Sequence, residues 1–277
     1  MRRPYRSMNK RKLLAGPYLA IVLCGTIIPL LAILYYGFTD RAGQFTLANI
    51  TAVTEPENAK ALGLSLLLAL ICTVICLLLA YPIGLLLRRT KGEKKGLIIF
   101  VLILPMWMNF LLRTMAWKAL LANTGVINAI LEAVGLPGIN IINTPAAVVL
   151  GMVYDFLPFM ILPIYNVMIK IDNSLIEAAQ DLGSNGFQVL TRIILPLSVP
   201  GIISGVTMVF VPAMTTFAIS NILGGGKIYL IGNIIEQDFL MGLRQTGSGL
   251  SLVIMVFILI SMALINKFDK NGEGSML

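Results

Sequence analysis

Residues 171–200 read IDNSLIEAAQDLGSNGFQVLTRIILPLSVP. The segment is moderately polar and helical in pattern, with a break at its middle. An apolar run flanks it on each side, Thr144–Met168 before and Gly201–Ile222 after. Ser174 followed by Glu177 is a capping-box spacing, which predicts a short helix from Leu175 to Leu182. Gly183 stands where a helix C-terminus favours positive φ. Ser184 is placed to cap a second helix carrying Phe187, Leu190, Ile193 and Ile194 toward Pro196. The expected product is a helix-turn-helix of about residues 170–198 that projects from a membrane. It offers a partner a small apolar knob flanked by charges.

The same alternation of long apolar runs and short polar loops extends through the chain. A helix of roughly 20 mostly apolar residues spans a bilayer. Six such runs are readable, at about 13–36, 62–87, 97–120, 144–168, 201–222 and 249–266. The first is too long for a signal-peptide core and no small-residue cleavage site follows it. Residues 1–12 form a basic leader to the membrane domain at 13–267, and 268–277 form a tail. Lys and Arg set the orientation. Arg2, Arg3, Arg6, Lys10, Arg11 and Lys12 precede the first run, and Arg88, Arg89, Lys91, Lys94 and Lys95 fill the loop after the second. Lys170, Arg192, Lys267 and Lys270 fall on that same side. Only Arg41, Lys60, Lys118, Lys227 and Arg244 lie opposite. Both termini are therefore expected in the cytoplasm of a multi-pass membrane protein.

Composition excludes several classes of function. The 277 residues are 57% hydrophobic and 12% charged, with a formal charge of +8 and a mean hydropathy of +0.89. The chain contains no histidine, which removes imidazole acid–base and metal chemistry. Cys72 and Cys76 share a helix face without forming a CxxC motif, and Cys24 lies in another apolar run. No catalytic residue and no metal site is expected. The positive charge is distributed by topology, so no nucleic-acid partner follows from it. The Gly224-Gly225-Gly226-Lys227 run is too short to be a phosphate loop.

Glu177-Ala178-Ala179, then Gly183, Ile193 and Leu195-Pro196, resembles the EAA pattern of ABC-importer permeases. That family places the loop in a groove of a cytoplasmic ATPase. The stretches Leu104–Arg113, Leu157–Tyr165, Pro196–Ile203 and 224–235 are similar to the first permease subunits of spermidine/putrescine ABC importers. The resemblance implies an all-α polytopic membrane protein with six transmembrane helices, a type I (MetI-like) permease. It also implies a heterodimer with a second permease, two ATPase subunits that hold ATP and Mg, and an external polyamine-binding protein. The chain itself would hold no cofactor and carry out no catalysis. An ABC permease for another solute, or an ion-driven secondary transporter, is the alternative; the latter would call for an inverted repeat, and none is evident.

Asp155 lies about ten residues into the fourth run, near mid-bilayer at roughly 1.5 Å per residue. A carboxylate there costs several kcal/mol unless paired or hydrated. A substrate ammonium is one partner, with Tyr154, Trp107 and Phe217 as cation–π neighbours and Asn109 on the same pathway. Arg113 is the other, although an uninterrupted third helix places it nearer the outer face. Glu236 and Asp238, in the loop after the fifth run, either meet the cargo or are simply solvated.

Overall fold

Long runs of Leu, Ile, Ala and Val leave the backbone no partners in lipid except its own, so the chain is built almost wholly of helices. The computed structural model describes residues 16–90 and 92–273. Residues 1–15, Lys91 and residues 274–277 lie outside the described residues, and with them the six N-terminal basic residues and Lys91 on which the expected orientation partly rests. Helix α1 (Gly16–Val22) runs through a π-helical turn, Leu23–Ile27, into α2 (Ile28–Gly37). After the short α3 (Ala48–Thr51) come α4 (Pro56–Arg89), α5 (Glu93–Ile103), α6 (Phe110–Leu121) and α7 (Val126–Ala133). The chain continues with α8 (Pro145–Met168), α9 (Asn173–Asp181), α10 (Gly186–Val189), α11 (Leu195–Thr215) and α12 (Ala218–Leu223). It ends with α13 (Ile231–Leu240) and α14 (Arg244–Glu273).

Among the described residues, α4, α8, the stretch Gly186–Thr215 and Arg244–Ile265 are each long and apolar enough to cross a membrane. A fifth passes the same test only as a bent pair. The described residues therefore give four such helices, or five if that pair counts as one span, where the sequence predicts six. The expected helix over 97–120 is instead Lys94–Trp107 and Phe110–Ala133, bent by 95°. Pro105 sits in a 3-10 turn, Leu104–Trp107, and Met108 is extended. The Asn109 side chain then accepts from the amides of Leu111 (2.9 Å) and Leu112 (3.4 Å) and starts a new helix. The first apolar run forms a shorter helix, Leu23–Gly37. The run read over 201–222 is also divided, because Thr216 is extended between α11 and α12.

The described residues fall into two compact units. One takes the residues up to Glu55 with Ile235–Val256, and the other takes Pro56–Ile234 with those from Phe257 onward. In the first unit the Asn49 amide donates to the carbonyls of Gly37 (3.3 Å) and Thr39 (2.9 Å), which closes the turn after α2. The second unit is centred on α4, α8 and α11, which share the most extensive packing in the chain. Small residues permit that approach. A Cβ on Gly201 would stand 2.9 Å from the Pro163 carbonyl, and one on Gly205 would stand 2.6 Å from the Met160 sulfur. The Tyr81 hydroxyl meets Ser198 Oγ at 3.2 Å, adding a polar tie between α4 and α11.

Candidate functional site

The polar segment folds as a hairpin of two helices, with caps that differ from those expected. Asp172, not Ser174, begins α9: its carboxylate accepts from the Ser174 amide at 3.0 Å. That bond holds the Asp172 carboxyl below its ordinary range. A charged oxygen is a better acceptor at a helix N-terminus than a hydroxyl. Gly183 has φ +83°. Its amide reaches the Gln180 carbonyl, and the Ser184 amide reaches Ala179, each at 2.9 Å. This is a Schellman closure. The backbone amide of Ser184 thus helps end α9, and it is Asn185 rather than Ser184 that caps α10, through a reciprocal box with Gln188, both bonds 2.9 Å.

With its backbone satisfied internally, the hairpin presents side chains outward. Glu177, Ala178, Gly183 and Pro196 are exposed, while Ala179 and Ile193 are half-buried. Leu195, at the root of α11, is 40% exposed. The apex carries two apolar residues that the motif does not name: Leu182 is 88% exposed and Phe187 is 73% exposed. A large apolar side chain beside a helix-ending glycine, in a polar loop, was the signal available in the sequence. Both side chains project from a turn whose backbone is already capped, so neither is needed to complete the hairpin itself. At the other end a π-helical turn, Leu190–Ile194, leads into α11. It accommodates Pro196, which has no amide to continue the ordinary ladder.

The second cluster surrounds Asp155, which is 4% exposed. Its Oδ1 lies 3.3 Å from Arg113 Nη2, without the alignment of a hydrogen bond. Thr114 Oγ1 donates to its Oδ2 at 3.4 Å. Arg113 is only 8% exposed and meets Asp155 from the first turn of α6, just after the break at Asn109. The Arg113 guanidinium stands 5.9 Å from the Tyr154 ring, and Trp117 meets that ring edge-on at 5.3 Å. The tryptophan beside Tyr154 is therefore Trp117 rather than Trp107, which is 86% exposed next to the break. Asn109 serves as a helix cap. Phe217 is exposed at the second break, and its carbonyl accepts from Ser220 Oγ at 2.8 Å and Asn233 Nδ2 at 3.0 Å.

Arg113 Nε and Nη1 are buried without hydrogen-bond partners among the described residues. Such a half-satisfied pair is costly in a low dielectric. Glu236 and Asp238 belong to the other compact unit. Both are half-buried, and burial, followed by the charge of Glu55, raises the Asp238 carboxyl above its usual range. Among the described residues no group of acids and cysteines is arranged to hold a metal ion.

Residues 80–271 match the family described as the binding-protein-dependent transport system inner membrane component. The chain is 39% identical over 241 residues to the spermidine/putrescine transport system permease protein PotB of Haemophilus influenzae, with 84% of each chain covered. To the protein of that name from Escherichia coli it is 40% identical over 223 residues, covering 80% of this chain and 81% of the relative. Among solved structures, a chain from a bacterial ABC transporter involved in the import of the acidic polysaccharide alginate has a TM-score of 0.80 at 15% identity, with 94% of both chains covered. That last likeness concerns the fold.

Proposed function

The chain belongs to the binding-protein-dependent transport system inner membrane components, and we propose that within that family it is a permease subunit of a polyamine importer. The observation that carries the cargo is the identity of about 40% to the PotB proteins over four-fifths of the chain. The chain is a transport component and not an enzyme. It forms half of a translocation pathway with a second, homologous permease and receives spermidine or putrescine from an external binding protein. ATP and Mg are held by two ATPase subunits, against which the hairpin apex of Leu182, Gly183 and Phe187 docks. Glu177 stays exposed for a basic residue of that partner. Both termini and the hairpin lie in the cytoplasm.

Asp155 takes part in cargo passage by exchanging Arg113 for a substrate ammonium. A single substitution is a poor test of this step, because it strands the other buried charge. The pair is better neutralised together, as Asp155→Asn with Arg113→Gln. Lower polyamine uptake at normal complex yield supports the exchange, and normal uptake makes Asp155 purely structural. The decisive experiment for the function is uptake in proteoliposomes holding the full complex, with spermidine and putrescine competed against unrelated solutes. ATP-dependent, binding-protein-dependent polyamine uptake is the expected result. ATP-dependent uptake of a different solute class would overturn the cargo, and uptake driven by an ion gradient would overturn the mechanism.

A further inference from the structure

The hairpin is fastened to the membrane helices by a residue outside the coupling motif. Arg88, in the last turn of α4, reaches across to the end of α8. Its Nε donates to the Met168 carbonyl at 3.0 Å, and its Nη2 donates to the Ile171 carbonyl at 3.1 Å and to Asn173 Oδ1 at 2.9 Å. Met168 is the last helical residue of α8, Ile171 lies in the link, and Asn173 is the first residue of α9. One edge of a guanidinium thus joins the end of one membrane helix, the end of a second and the start of the docking helix. Beside the clasp, a cleft of about 400 Å³ is lined by Leu85, Arg89, Ile176, Glu177 and Leu190. The cleft parts α4 from the hairpin over this stretch, and the three hydrogen bonds of Arg88 tie them at its edge.

The geometry points to Arg88 as a positioning residue that transmits movement of the docking hairpin to α4 and α8 together. The inference rests on the coupling role proposed for the hairpin. A cytoplasmic arginine at the end of a membrane helix is also expected as a simple interfacial anchor, and the two roles demand different chemistry. An anchor needs only positive charge, so lysine serves. The clasp needs a planar fork whose Nε and Nη2 reach separate acceptors at fixed angles, which an ammonium does not reproduce. The carbonyls at the end of α8 also gain a cation where the helix dipole is negative.

The test is transport per ATP hydrolysed in the reconstituted full complex, with assembly yield measured alongside. Arg88→Ala and Arg88→Lys are expected to lower that ratio by about tenfold, the scale of losing charge-assisted hydrogen bonds. Asn173→Ala, which removes one of the bonds, is expected to lower it about threefold. Asn173→Asp retains an acceptor for Arg88 and suits the first turn of a helix, so its ratio should match wild type, and it should partly rescue Arg88→Lys. If Arg88→Ala fails to assemble, Arg88→Lys and Asn173→Ala decide the matter. A wild-type ratio in Arg88→Lys, or the absence of any rescue by Asn173→Asp, overturns the clasp. Failure of the wild-type complex to move polyamines would instead count against the cargo.

Discussion

The hairpin and the surroundings of Asp155 place opposite kinds of residue in the wrong medium. The hairpin extends Leu182 and Phe187 from a polar segment, whereas the bundle encloses Arg113 and Asp155 within apolar helices. Around the hairpin every strategic backbone group is satisfied by a local cap, from Asp172 through Gly183 to Asn185. Around Asp155 the arginine keeps two nitrogens without partners among the described residues. The difference teaches how each site responds to damage. A finished, rigid hairpin loses its partner when altered but keeps its shape, while an unfinished buried pair loses its stability.

The largest effect is therefore expected in the buried pair. Arg113→Leu alone strands the Asp155 carboxylate and should cost about 3–5 kcal/mol, seen as a steep fall in the thermal midpoint of the purified protein. Adding Asp155→Leu should recover most of it. If the double variant is as unstable as the single one, the charges are not what holds α6 to α8. Next comes the apex. Leu182→Asp or Phe187→Asp should weaken association with the ATPase by about a hundredfold, as for a buried anchor at an interface, and leave the folding free energy within about 0.5 kcal/mol of wild type. Tight association in both variants would place the docking surface elsewhere.

Gly183→Val, combined with Glu177→Ala, should be milder for folding. A branched residue at φ +83° adds about 1–3 kcal/mol of local strain but does not touch the bundle. Membrane insertion should persist while uptake separates from ATP hydrolysis, and coupled, substrate-stimulated hydrolysis with normal uptake would remove the hairpin from the mechanism. The smallest effect concerns Asp172. Because its folded carboxyl titrates below the ordinary range, its capping contribution is complete above that range, roughly pH 4. It fades only as pH falls through the lower, folded value. Amide exchange at Ser174, corrected for the intrinsic pH dependence, should thus be flat from about pH 5 to 8. A step inside that window would contradict the cap.

The sequence made the two regions legible to different depths. The hairpin was readable because its determinants are local: a glycine at a helix end, a polar cap, the motif spacing. Even so, the caps fell on neighbouring residues, since Ser174, Ser184, Asp172 and Asn185 compete for the same few amides. The buried pair was harder to read. Hydropathy records how apolar a run is and nothing of its direction, so residues 97–120 read as one straight span. Pro105 and Asn109 were the available signs of a break. Only after the 95° bend does α6 bring Arg113 onto Asp155 and Trp117 onto Tyr154. Arg88 escaped notice for a related reason: in a loop of many basic residues, composition cannot distinguish a fork with three acceptors from an anchor.

The close approach of Gly201 and Gly205 to Met160 and Pro163 makes a lever of the hairpin. Its two arms are rooted in α8 and α11, and those helices touch backbone to backbone at Gly201, about 9 Å along the helix from Leu195. Contact that close near their base leaves the two roots little room to move apart. Under the docking role proposed for the apex, a force on it would be shared by α8 and α11 rather than taken by either alone.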